Sequence, residues 1–132
     1  MIDKENEVFT RARNAIIKKF PKANVSGVYI NAPSAFPHIY IEMTNASEPR
    51  SLRDGLEEKY TEATFRIDIY SNKKSTAKSE CKAIEKIVDS TLRQMNFRRE
   101  YRGATPNMND STIYRLTLTY VVMASENRFY SA

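Results

Sequence analysis

Polar and apolar residues alternate most cleanly over residues 63–70. There Ala63, Phe65, Ile67 and Ile69 fall on one side, and Thr64, Arg66, Asp68 and Tyr70 on the other. A period of two predicts a strand with a single buried face. After Ser71 and Asn72 the period changes. From Ser75 onward Ala77, Cys81, Ile84, Val88, Leu92 and Met95 recur every three or four residues, which predicts an amphipathic helix closed by Asn96. Residues 97–102 then read as a short strand, 103–110 as a loop, and 112–123 as a long strand whose inward set is Tyr114, Leu116, Leu118, Tyr120 and Val122. Upstream, Val8, Phe9, Ala12, Ile16 and Phe20 predict a first helix, with Asp3 as its cap and Pro21 as its stop. Residues 24–30 read as a short strand and NAPSAFP as a loop. Residues 38–44 read as a strand with Ile39, Ile41 and Met43 facing away from His38, Tyr40, Glu42 and Thr44. The charged, turn-rich segment NASEPRSLRDGLEEKY is expected to be a protruding loop or the tip of a long hairpin.

Two amphipathic helices and about five one-faced strands are satisfied together by an α+β fold. Its core is one mostly antiparallel sheet with both helices on the same face. A chain of 132 residues can bury one such core, and no repeat or linker divides it, so residues 1–132 read as a single domain. The other face of the sheet is expected to be open, carrying Tyr40, Arg66, Asp68, Tyr70, Arg115, Thr117 and Val121. Tyr and Arg are enriched in interface cores, so this face suggests a subunit contact, with ordinary cross-strand pairs as the plainer alternative.

Charge sharpens that picture. The net charge is +5, but residues 42–62 hold six acids against Arg50, Arg53 and Lys59, while 1–22, 73–86 and 93–102 are each basic. Such polarity suits contacts between copies at least as well as a phosphate track. No window is apolar enough to span a membrane, and the charged start MIDKENEVF is unlike a signal peptide, so the chain is expected to be soluble and intracellular when made.

Candidate chemistry is sparse. His38 is the single histidine and has no nucleophile or orienting acid beside it in PSAFPHIYIEM. Cys81 lies on the apolar side of its helix and reads as a buried structural thiol. Zinc would need ligands the chain does not have, and Gly27, Gly55 and Gly103 are too scattered for a phosphate loop. No catalytic, metal or cofactor-binding residue is assigned, and the expectation is a protein that is not an enzyme. The alternatives are a nucleic-acid-binding module using Lys73 to Lys86 and Arg98, Arg99 and Arg102, or a metal-dependent nuclease using Asp54, Asp68, Glu80 and Asp110.

Four segments resemble the tail terminator, or tail completion, proteins of long-tailed bacteriophages and phage-like particles, often called minor tail or minor capsid proteins. They are 65–72, ending in Ile-Tyr-Ser-Asn; the helix start Ser79-Glu80-Cys81-Lys82-Ala83-Ile84; Asn96-Phe97-Arg98-Arg99; and Pro106-Asn107-Met108-Asn109-Asp110 before Ile113-Tyr114-Arg115. The resemblance covers about half the chain. It implies a virion protein, assembled in the bacterial cytoplasm, that forms a ring, hexameric by expectation, on the head-proximal end of the tail tube. There it would stop tube polymerisation and present the head–tail joining surface. The implied partners are further copies, the tube protein, a head-side connector and, in a contractile tail, the terminal ring of the sheath. DNA would pass through the lumen without sequence-specific binding. The expected contact residues are Arg50, Arg53, Asp54 and Glu57 in the 46–60 loop, then Arg66, Asp68, Tyr70 and Arg115 on the sheet.

Overall fold

A computed structural model describes residues 1–49, 60–107 and 110–132. Its elements are α1 (Glu5–Lys19), β1 (Asn24–Ser26), β2 (His38–Ser47), β3 (Thr61–Ser71), α2 (Ala77–Gln94), β4 (Arg98–Ala104), β5 (Tyr114–Ala124) and β6 (Phe129–Tyr130). The fold is α+β, as its periodicities predict. One mostly antiparallel sheet runs in the order β1-β2-β3-β5-β4, with β6 also pairing with β5. The predicted inward residues of β3 and β5 form one core with Ile39 and Ile41 of β2, Cys81, Ile84, Val88 and Leu92 of α2, and Val8, Ala12 and Ile16 of α1. Each large aliphatic buried there contributes about 1.5–3 kcal/mol. A one-residue slip of β3 would turn Phe65, Ile67 and Ile69 outward together, so this core fixes the register.

The helix ends follow from local chemistry. Glu5 and Glu7 stand in the first turn of α1 and Lys18 and Lys19 in its last, matching the helix dipole. Asp3 Oδ1 accepts the Glu5 N–H at 3.0 Å. At the end of α2, Asn96 takes a left-handed backbone with φ of 66°. The Asn96 N–H donates to the Arg93 carbonyl and the Phe97 N–H to the Leu92 carbonyl, each at 3.0 Å, which is the Schellman arrangement. This turn drops Phe97 into the core, edge-on to Phe65 at 5.5 Å.

Strands β2 and β3 extend beyond the predicted 38–44 and 63–70 into a longer hairpin, past an irregularity between Met43 and Asn45. Strand β1 is shorter than the predicted 24–30. Ser26 Oγ accepts the Val28 N–H at 3.2 Å and donates to the Val28 carbonyl at 2.7 Å, which turns the chain out of the sheet. Strand β1 also runs parallel to β2, pairing Asn24 with His38. Parallel neighbours need a connection that crosses a face of the sheet. The helices occupy one face, so residues 27–37 cross the other.

Candidate interaction surfaces

Beneath that crossover lies a polar cluster centred on Asp68. Asp68 sits mid-strand in β3, opposite Tyr40 of β2 and Thr117 of β5, and is fully buried. Its Oδ1 accepts from Thr117 Oγ1 at 2.5 Å and from Arg115 Nε at 3.3 Å. Its Oδ2 accepts from Arg115 Nη2 and from Arg66 Nε, both at 3.2 Å. Because the Thr117 hydroxyl gives its proton to Asp68, Thr105 Oγ1, 2.6 Å away, is the donor to Thr117. A buried carboxylate needs such pairing to remain charged.

Aromatic rings enclose the ion pair. The Arg115 guanidinium lies over the Tyr70 ring at 5.3 Å and the Tyr29 ring at 6.0 Å. Tyr29, carried by the crossover, meets Tyr40 edge-on at 5.7 Å. Burial alone would lower the Arg115 pKa, but its hydrogen bonds to Asp68 and the Asp68 charge outweigh that and raise it. Burial, followed by the Asp68 charge, pushes the Tyr70 phenol up to about 12. Tyr40 is raised in the same way, by burial and by the hydrogen bond it donates to Glu42 Oε1 at 2.5 Å. His38 stands opposite Tyr70 on the same face, with ring centroids 5.7 Å apart. Its Nδ1 accepts from the Asn24 amide at 3.0 Å, which leaves the proton of the neutral ring on Nε2. His38 Nε2 is buried and makes no hydrogen bond with a described residue.

This geometry corrects one expectation. The sheet face predicted to be open is closed within a single chain: Tyr40, Asp68, Tyr70, Thr117 and Val121 are all buried. The parallel β1–β2 pairing contributes by sending residues 27–37 across that face, where Tyr29 meets Tyr40 and Arg115. Arg66, Asp68, Tyr70 and Arg115 do come together, but as an internal network. Of the four, Arg66 is the well-exposed one, with 41% of its side chain accessible against 11% for Arg115. The apolar surface presented on the crossover is instead Val28, Tyr29 and Ile30. Arg50, Arg53, Asp54 and Glu57 lie outside the described residues, as does all of 50–59. Pattern reading missed Tyr29 and Thr105, whose roles depend on where two loops cross the sheet.

Of the acids weighed for metal chemistry, Asp54 lies outside the described residues, and Asp68, Glu80 and Asp110 are held by separate partners. Glu80 accepts from Ser71 Oγ at 2.7 Å and pairs with Lys73 at 3.0 Å. Asp110 accepts from the Thr112 N–H and hydroxyl. Among the described residues no group of three or more His, Cys, Asp or Glu could hold a metal ion. Among them, too, no helix is long and apolar enough to cross a membrane.

The segments that carry the family resemblance pack against one another. Cys81 is fully buried, with Sγ 3.5 Å from the Ile69 carbonyl and 3.9 Å from the Tyr114 carbonyl. Burial, then the nearby Glu80, pushes its thiol up to about 12, as the structural reading of this cysteine requires. Ser71 pairs with Tyr114 across the sheet and bonds Glu80, while Phe97 packs on Phe65. No family model matches the chain, and no curated protein is significantly similar to it.

Proposed function

We propose that this protein is a structural subunit of a long-tailed phage or phage-like particle, a tail terminator that assembles as a ring on the head-proximal end of the tail tube. The observation that supports this reading is that residues from the family-like segments meet in the core: Ile69 and Tyr114 pack on Cys81, and Phe97 packs on Phe65. In this reading the ring is hexameric, and its partners are further copies, the tube protein, a head-side connector and, where the tail contracts, the terminal ring of the sheath. DNA passes through the lumen without sequence-specific contacts. Such a ring stops growth because it matches the tube end on one side and differs from a tube subunit on the other, so heterologous addition cannot continue.

The test is to mix purified protein with tail tubes and examine them by light scattering and negative-stain imaging. Rings seated at one end of the tubes, with tube length arrested, are expected. Protein that never binds tube ends overturns the proposal. A monomer in isolation does not, since the tube end itself can template the ring.

A further inference from the structure

Residues 24–37, which comprise β1 and the crossover, are lightly held. Within them Pro33 alone is buried, and Val28, Tyr29 and Ile30 stand exposed. The two ends of the segment are tied to each other through Asn24. Its N–H donates to the Pro37 carbonyl at 2.9 Å, and its side-chain amide donates to His38 Nδ1 at 3.0 Å. A segment with so few buried groups can open while the core beneath keeps its packing. His38, by contrast, is fully buried at the first position of β2, and its Nε2 has no partner among the described residues.

The neutral ring can gain a proton only on Nδ1, the atom that accepts from Asn24, so the tie and the proton compete for one lone pair. The surroundings do not favour the charged ring. Tyr40 on β2, Tyr70 on β3 and Tyr29 on the crossover offer phenols, and Asn24 on β1 offers an amide. The carboxylates farther along this face, Asp68 and Glu42, are matched by Arg66 and Arg115, so a protonated His38 would leave the cluster with excess positive charge. Beyond the strand ends, the nearest charges in sequence are Lys22 before β1 and Lys73 and Lys74 after β3, with Lys73 held by Glu80. We propose that His38 is a proton-operated latch on the crossover. While neutral, it keeps residues 24–37 closed through Asn24. In the open form Nδ1 is free of Asn24 and takes a proton from solvent, and the segment then stays released, uncovering Tyr40, Tyr70 and Arg115. The latch belongs to the single chain and holds whether or not copies form a ring.

Hydrogen exchange of the full chain reads the opening directly, followed by mass spectrometry at about pH 7.5 and about pH 5.5 and corrected for the intrinsic effect of pH on exchange. Protection over 24–37 should fall by up to about tenfold at the lower pH, the factor given by one group whose open-state pKa is the ordinary 6.5. Protection in α2 and β3 should stay nearly constant. In His38→Gln, which has no titrating ring, the change over 24–37 should disappear. Asn24→Asp places a carboxylate beside Nδ1 that can accept from the protonated ring, so it should keep 24–37 protected at the lower pH. A measurement on the wild type guards against a misfolded variant: the His38 ring signals, followed by NMR, should show a neutral ring with its proton on Nε2 at about pH 7 and titrate only below 6.5. The latch is overturned if 24–37 stay protected at the lower pH, if α2 and β3 lose protection in step with them, or if His38→Gln or Asn24→Asp opens on acidification as the wild type does. A ring already charged at neutral pH overturns it as well.

Discussion

Arg115 grips Asp68 diagonally across the β3–β5 boundary, with Nε at 3.3 Å from one carboxylate oxygen and Nη2 at 3.2 Å from the other. The pair is enclosed by Tyr70 below the guanidinium and by Tyr29 on the crossover. In this setting a charge is tolerated only while its partner is present.

Removing one member should therefore cost more than the pair contributes. Asp68→Ala strands Arg115 and deprives Thr117 of its acceptor, and should lower the unfolding free energy by about 3–5 kcal/mol. Arg115→Leu should carry a cost of the same order. The double variant should lose clearly less than the two single losses added together, because neither charge is then left alone. Denaturant unfolding of all three measures this, and additive losses would show that the two residues are not coupled.

Tyr29 should matter more than its exposure suggests. It is 47% accessible, yet it supplies an edge-on contact to Tyr40 and one face for Arg115. Tyr29→Ala should cost roughly 1–2 kcal/mol. Val28→Ala next to it, 63% accessible and without such contacts, should cost less than about 0.5 kcal/mol. Equal effects at both positions would mean that the crossover does not seal the Asp68 cluster.

His38 gives stability a pH dependence of known sign. Burial lowers its pKa below the ordinary 6.5. Between the folded and unfolded values the unfolded chain binds a proton that the folded chain refuses, so this contribution is complete above pH 6.5 and is lost as the pH falls through the window beneath it. The pKa of Asp89, where the hydrogen bonds from Tyr120 and Arg93 outweigh burial, is lowered from 3.8 and so affects only more acidic solutions. The melting temperature should fall from about pH 7 to about pH 5 more steeply in the wild type than in His38→Phe. Parallel slopes would remove His38 as the cause.

Cys81 should behave as a reporter of unfolding. With its thiol fully enclosed and its pKa pushed up to about 12, neither access nor thiolate is available in the folded chain. A disulfide reagent such as Ellman's should label the native protein only as fast as the α2–β3 contact opens, and should label denatured protein at once. Rapid stoichiometric labelling without denaturant would contradict the packing of Cys81 on Ile69 and Tyr114.

What the sequence determined by itself was the set of elements and their inward faces. Ala63, Phe65, Ile67 and Ile69 on β3, and Cys81, Ile84, Val88 and Leu92 on α2, were legible because a period of two or of three-to-four is a local property of the chain, and burying one face needs no knowledge of the partner. The close of α2 at Asn96 was legible for the same reason. The direction of β1 was not, since three residues carry no pattern that separates parallel from antiparallel pairing. That direction shaped the second face, by sending residues 27–37 across it and turning Asp68, Tyr70 and Arg115 from a presumed outer surface into an inner network with Arg66 at its exposed edge. Asp68 in particular reads as a surface acid because the groups that make its burial tolerable, Arg115 and Thr117, lie 47 and 49 residues away along the chain. Burial of a charge depends on distant donors arriving together, and only the tertiary structure brings them there.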